Sequence, residues 1–154
     1  GLVESEKKFI EGLKEYLKNK KPQFEVYLLR NFPKRGIGFF NLSGFYPDFI
    51  MWIKSKSKQI IVFIDPKGLE HTRGLDDEKI QLHETLKEIE QKLGRNDVAL
   101  DSFILSVTPY DELIKSVPEP PSKDEYIKNH VLFLDDNDWP EKLFSYLLRL
   151  SSST

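Results

Sequence analysis

Hydrophobic positions recur with two different periods along this chain, and the switches between those periods mark out its elements. In residues 2–17, Leu2, Phe9, Ile10, Leu13, Tyr16 and Leu17 fall at helical spacing with lysines and glutamates between them, which predicts an amphipathic helix. Residues 18–23 are polar and hold Pro22, after which Phe24, Val26, Tyr27, Leu28 and Leu29 give residues 24–29 the aromatic and branched content of a strand. Gly36 and Gly38 punctuate a loop. Residues 39–42 then predict a short strand, residues 45–54 a longer one, and residues 59–65 a nearly continuous apolar strand. A strand of this last kind is buried on both faces and belongs at the centre of a sheet. The polar run from Lys54 to Lys58 is short enough to fold its two neighbours into an antiparallel hairpin.

Beyond Asp65 the chain passes Gly68 and Gly74 into a second amphipathic pattern, residues 75–93, whose stripe is Leu75, Leu82, Leu86, Ile89 and Leu93 and whose stop is Gly94. Residues 102–107 predict a strand. Thr108 and Pro109 open a short helix through Leu113 and Val117, with the threonine as cap and the proline in the first turn. Pro118, Pro120 and Pro121 stiffen the next loop, residues 131–134 predict a last strand, and residues 139–150 a last helix carrying Leu143, Phe144, Leu147 and Leu148. No internal repeat is present. This order of elements predicts an α/β fold in which helices flank a mixed sheet.

Composition narrows the chemistry more than the fold. With 154 residues, 39% of them hydrophobic and 12% aromatic, residues 1–154 suffice for one domain with a real core and leave no room for two. Lysine and arginine number 23 against 25 acidic residues, a formal net charge of -2, so attraction to a polyanion must come from a local basic face. The absence of cysteine excludes disulfide scaffolds, thiolate zinc sites and cysteine nucleophiles, and fits a reducing, cytoplasmic setting. No apolar run approaches the about 20 residues that span a bilayer, so no membrane partner is expected. The chain begins at Gly1 rather than methionine, and is read as a piece of a larger multidomain protein.

Two acids lie on the strands of the predicted hairpin at similar distances from its turn: Asp48, after Pro47, and Asp65, before Pro66. Pairing across the turn brings them together, and Lys67, two positions beyond Asp65, projects to the same side of an extended chain. Two carboxylates meeting at one point resolve their repulsion by protonation or by binding a divalent cation. The cation is the productive answer for phosphodiester chemistry, with a lysine to orient water and neutralise developing charge.

These residues resemble the PD-(D/E)XK nuclease superfamily: Pro47-Asp48, a gap of sixteen residues, then Asp65-Pro66-Lys67, within an element order like that superfamily's αβββαβ restriction-endonuclease-like core. The segments 45–50 and 62–69 look most like the C-terminal endonuclease domain of type III restriction enzyme Res subunits. The resemblance implies an Mg²⁺-dependent endodeoxyribonuclease, with Mn²⁺ as a substitute, acting on double-stranded DNA. Asp48, Asp65 and the Pro66 carbonyl would be metal ligands and Lys67 would position the nucleophile. Such a domain implies a helicase/ATPase domain in the same full-length chain and a methyltransferase-type specificity subunit as partners. Superfamily members also place a glutamate of the first helix near the metal. Glu4, Glu6 and Glu11 compete for that role, and Glu6 is chosen because it lies on the side of Phe9 and Ile10. The alternative is a DNA-binding or assembly module that keeps the fold without turnover, and an RNA or junction nuclease would share the same site.

Other signals are weaker. Lys79 occupies the apolar stripe of the second helix, where it either snorkels from the core edge or reaches the site as an auxiliary phosphate contact. Gln81 and His83 sit near that end. His71 is read as a surface loop residue, and Lys54, Lys56 and Lys58 as a solvated turn. The basic loop Lys34-Arg35-Gly36-Ile37-Gly38 is a candidate for tracking DNA, but it lacks the lysine and serine or threonine of a P-loop. Phe39, Phe40, Phe45, Tyr46, Phe49 and Trp52 are read as core packing.

Overall fold

The computed structural model describes residues 1–39, 42, 44–69 and 74–152. Helix α1 spans Glu4–Lys20, with Glu4 and Glu6 in its first turn and Lys18 and Lys20 in its last, each charge placed to oppose the helix dipole. Its buried face is Glu6, Phe9 and Leu13, and it ends where Lys21 turns left-handed at φ 44°. Strands β1 (Glu25–Arg30), β2 (Phe49–Lys54) and β3 (Gln59–Lys67) follow, then α2 (Leu82–Leu93), β4 (Val98–Ser106), α3 (Tyr110–Leu113), α4 (Lys123–Lys128), β5 (Val131–Phe133) and α5 (Trp139–Ser152).

The five strands lie in the order β1-β2-β3-β4-β5. The β1–β2 and β2–β3 pairs are antiparallel, whereas β3–β4 and β4–β5 are parallel. That split follows from the connections: β2 and β3 are joined by a tight turn, in which the Ser55 N–H donates to the Lys58 carbonyl, while β3 reaches β4 only by way of α2. On one face α1 and α5 pack Phe9, Leu13, Leu143 and Phe144 onto Met51, Val62, Ile64 and Leu105. On the other, α2 packs Leu82 and Leu86 against Phe63 and Leu100, and a third cluster beneath α3 and α4 buries Tyr126, Phe133 and Ile80. Both central strands, β3 and β4, are therefore covered on both sides, as the apolar run at 59–65 requires. Among the described residues no helix is long and apolar enough to cross a membrane.

Several boundaries differ from the sequence pattern for identifiable reasons. The helix expected from residue 75 starts at Leu82. Before it, a 3₁₀ turn over Gly74–Asp76 is held by side chains competing for the backbone: Gln81 Nε2 donates to the Leu75 carbonyl at 2.6 Å, and the Lys79 N–H donates to Asp77 Oδ1 at 2.9 Å. The strand expected over 45–54 begins only at Phe49, since Pro47 has no N–H to enter a ladder. For the short strand expected over 39–42, residues 40 and 41 lie outside the described residues, and Phe39 makes one bridge to Phe45. Helix α4 was not anticipated, although Ser122 and Glu125 form a full capping box at its start. Thr108 does not cap α3, whose N-cap is Pro109.

Candidate active site

Asp48 and Asp65 meet at the open end of the β2–β3 hairpin. The register pairs Lys54 with Gln59 and Phe49 with Ile64, so the residue before Phe49 falls opposite the residue after Ile64. The Asp48 N–H donates to Asp65 Oδ1 at 3.0 Å, which fixes the orientation of one carboxylate by the backbone of the other. Asp65 is only 7% exposed, and Asp48 is half-buried. Burial is the largest cause of a strong upward shift of the Asp65 carboxyl, to about 7, with the charge of Asp48 adding to it and the Asp48 N–H, Lys67 and Lys79 opposing it. The Asp48 carboxyl is also raised, by burial and then by Glu6, against the pull of Arg30 and Lys67.

Lys67 follows from strand alternation, sharing with Asp65 and Phe63 the face that packs on α2, while the buried Pro66 points the other way, in register with Leu105. Its ammonium stands 5.9 Å from the centroid of the Phe45 ring, and that of Lys79 stands 5.3 Å from the same centroid. Burial lowers the Lys67 pKa, the charge of Asp65 raises it, and the neighbouring Lys79 lowers it further. Two cations and two carboxylates thus share one corner, with Lys79 brought in by the irregular segment that precedes α2.

No protein-family model matches this chain, and neither a curated protein nor a solved structure does. Of the four glutamates of α1, Glu4, Glu11 and Glu15 are exposed, whereas Glu6 is 5% exposed and adds to the raised pKa of Asp48. Its Oε2 lies 3.3 Å from Arg30 Nη2 and, among the described residues, accepts no hydrogen bond. Asp48, Asp65 and Glu6 offer oxygen donors only, the set a hard cation such as Mg²⁺ takes, usually through one or two carboxylates with several waters retained. Among the described residues no group of three or more histidine, cysteine or acidic side chains is placed to hold a metal ion.

Two further residues belong to this corner and were not found by pattern. Arg30, the last residue of β1, holds Glu6 and lowers the pKa of Asp48. Asn31, next to it and 4% exposed, donates from its backbone N–H to the Asp48 carbonyl at 2.7 Å. Their only sequence signal is a polar pair ending an otherwise apolar strand. The lysines at 54, 56 and 58 are at the other end of the hairpin, about 20 Å away at the rise of a strand, where Lys58 Nζ donates to the Leu150 carbonyl. His71 lies outside the described residues. His83 is buried, and its ring stacks on His130 rather than facing the carboxylates.

Proposed function

We propose that this chain is the endonuclease domain of a PD-(D/E)XK-type enzyme, hydrolysing phosphodiester bonds of double-stranded DNA with Mg²⁺, as the cleavage module of a type III restriction-like protein. The observation that carries this reading is the Asp48–Asp65 contact. Two carboxylates are held together at a strand end, both with raised pKa, and a lysine two residues further on faces the same way. Such a pair repels until a proton or a cation intervenes, and near neutral pH a divalent cation competes well for Asp65. The order α1-β1-β2-β3-α2-β4 is that of a restriction-endonuclease-like αβββαβ core, and supports the same reading.

In this proposal Asp48, Asp65, Glu6 and the Pro66 carbonyl would hold the cation. When bound, Mg²⁺ would supply Lewis-acid charge to the scissile phosphate and lower the pKa of water, so that it gives up a proton as it attacks. Lys67 presents a half-buried ammonium, whose position is set by β3 and by the Phe45 ring, to the attacking water and the phosphate oxygens. Lys79 adds a second positive charge on the same side and draws a phosphate towards the carboxylates. Arg30 holds the Glu6 carboxylate in place. The helicase/ATPase domain and methyltransferase-type subunit that go with a type III enzyme are part of the proposal.

The direct test is incubation of the purified chain with supercoiled and linear duplex DNA in Mg²⁺, in Mn²⁺ and in EDTA. Cutting in either metal but not in EDTA, abolished in Asp65→Ala and in Lys67→Ala, is the expected result. Cutting that persists in both variants assigns the activity elsewhere. Calorimetric titration with Mn²⁺ separates a nuclease from a fold-retaining assembly module, which has no need to bind metal at these carboxylates.

A further inference from the structure

Asn31 makes four hydrogen bonds at one point of the fold. Its Nδ2 donates to the Ile37 carbonyl and to the Pro47 carbonyl, each at 2.8 Å, and its Oδ1 accepts from the Ile37 N–H at 2.8 Å. Its backbone N–H donates to the Asp48 carbonyl at 2.7 Å. The side-chain amide therefore spends both its donors and its acceptor on two separate stretches of backbone, residue 37 on one side and residue 47 on the other. Gly36 allows the close fit, because a Cβ there would stand 1.9 Å from Asn31 Oδ1. The segment between, residues 32–37, is exposed and presents Phe32, Lys34, Arg35 and Ile37 to solvent, with Phe32 at 55% and Ile37 at 51%. A short loop carrying two cations and two exposed apolar side chains has the make-up of a nucleic-acid contact, cations for the backbone and apolar groups for sugars and bases.

We infer that Asn31 is a positioning residue that ties a DNA-gripping loop, residues 32–37, to the backbone that aims Asp48. What Asp48 does is taken from the nuclease reading, but the clamp itself stands on the four hydrogen bonds. Lys34 and Arg35 contact the phosphates of a DNA duplex lying across the hairpin end. Any displacement of the loop passes through Asn31 to Pro47 and Asp48, since the same residue bonds both. The loop grips and the carboxylate is aligned as one unit. This explains why a buried asparagine sits where β1 ends: it satisfies backbone groups that no strand reaches.

The test uses three variants of the whole chain and a short labelled DNA duplex as probe. In EDTA, where no cutting occurs, Lys34→Ala with Arg35→Ala weakens duplex binding and lowers the slope of log K against log salt by about 2, near 0.9 for each phosphate that is no longer neutralised. Asn31→Ala weakens binding in EDTA as well, and speeds hydrogen exchange at the Ile37 and Asp48 amides while the β3 amides stay protected. In Mg²⁺ at saturating duplex it lowers the cleavage rate by about 10-fold to 100-fold, the scale of a misplaced catalytic group. Gly36→Ala, which drives a methyl into Asn31 while leaving the asparagine present, gives the same pattern more weakly and stands in if Asn31→Ala does not fold. Folded Asn31→Ala and Gly36→Ala chains with wild-type binding, wild-type saturated rate and an equally protected Asp48 amide overturn the inference. A wild-type chain that cuts nothing, in which Asn31→Ala still frees the Asp48 amide and weakens binding in EDTA, retires the nuclease reading and leaves the clamp intact.

Discussion

Two clusters of buried ionisable side chains sit on this sheet, and they are built to opposite ends. One is the Asp48–Asp65 corner. The other lies along the flank of β4, where β5 pairs only from Ile104 onward and leaves earlier carbonyls of β4 uncovered. There Lys87 Nζ donates to the Leu100 carbonyl at 3.0 Å, and His130 Nδ1 lies 3.0 Å from the Ser102 carbonyl and 2.9 Å from Asp101 Oδ1. Asp101 is fully buried, accepts from the Ser102 N–H, and has Lys87 3.8 Å from its second oxygen. The His130 ring is stacked between His83 at 3.8 Å and Phe103 at 4.5 Å. In this second cluster Asp101 is paired with Lys87 and His130, and the Leu100 and Ser102 carbonyls have side-chain partners, so it serves as a polar edge-cap of the sheet, with Asp101 Oδ2 and His83 Nε2 left without a hydrogen bond among the described residues. In the first, no ion pair joins Asp48 or Asp65 to a cation among the described residues, and the charge of Asp48 raises the pKa of Asp65. A perturbed pKa occurs in both; the charge left unanswered distinguishes a candidate site from a structural network.

Substitution separates the two most sharply. Asp65→Ala is expected to lower the DNA cleavage rate by about 10³-fold with the folded state as stable as before or more so, because a buried carboxyl held against another carboxylate is removed. Asp101→Ala is expected to do the reverse. It removes the buried carboxylate that accepts from the Ser102 N–H and lies beside His130 Nδ1 and Lys87, and costs about 3 kcal/mol of stability, while the cleavage rate per folded molecule stays at the wild-type value. Urea unfolding beside a cleavage assay at a temperature where both variants are folded reads both. Equal losses of stability in the two variants would show that both clusters serve the fold alike.

The first cluster was legible in the sequence and the second was not. A tight turn makes hairpin register a matter of counting: Asp48 lies six residues before Lys54 and Asp65 six after Gln59, so pairing of Lys54 with Gln59 sets the acids opposite each other. Lys67 then follows from the two-residue period of a strand. Glu6 stands out from Glu4 and Glu11 by the face it shares with Phe9, and that face is buried. Asn31, by contrast, acts on residue 47 across a loop, and Asp101, His83 and His130 meet from three separate elements. No period links such positions. The late start of α2 was hidden because Leu75 continues the helical stripe, while Gln81 and Asp77 hold the backbone in turns that a hydrophobic pattern does not register.

The two clusters also pull stability in opposite directions with pH. Asp65, raised to about 7 from 3.8, holds a proton more firmly folded than unfolded. In metal-free protein its contribution is complete below pH 3.8 and is lost as the pH rises to about 7. His83 is lowered from 6.5 to about 4 by burial and then by the charge of His130, with Lys87 acting the same way and Glu84 and Asp101 opposing. Its contribution is present above pH 6.5 and is lost as the pH falls to about 4. The slopes oppose each other within that shared window. In EDTA, Asp65→Asn is expected to lose stability on acidification more steeply than wild type, and His83→Gln to lose it on going towards neutral pH. Urea midpoints that track wild type in both variants would show that neither group titrates as its surroundings imply.

The smallest expected effect tests whether Lys79 belongs to the first cluster or merely borders it. Its ammonium lies over the Phe45 ring with that of Lys67, and its charge favours the ionised form of Asp65 while lowering the pKa of Lys67. Lys79→Met keeps the length and apolar stem of the side chain and removes only the charge. With the charge gone, Asp65 holds its proton to higher pH, so the acid limb of the cleavage profile moves upward, and the rate at its plateau falls by about tenfold, the scale of one favourable charge near a phosphate. A packing role alone would leave the limb where it is, because methionine fills the same space against Phe45. A limb that does not move therefore puts Lys79 on the side of the structural network, and confines the working cations of the corner to Lys67 and Arg30.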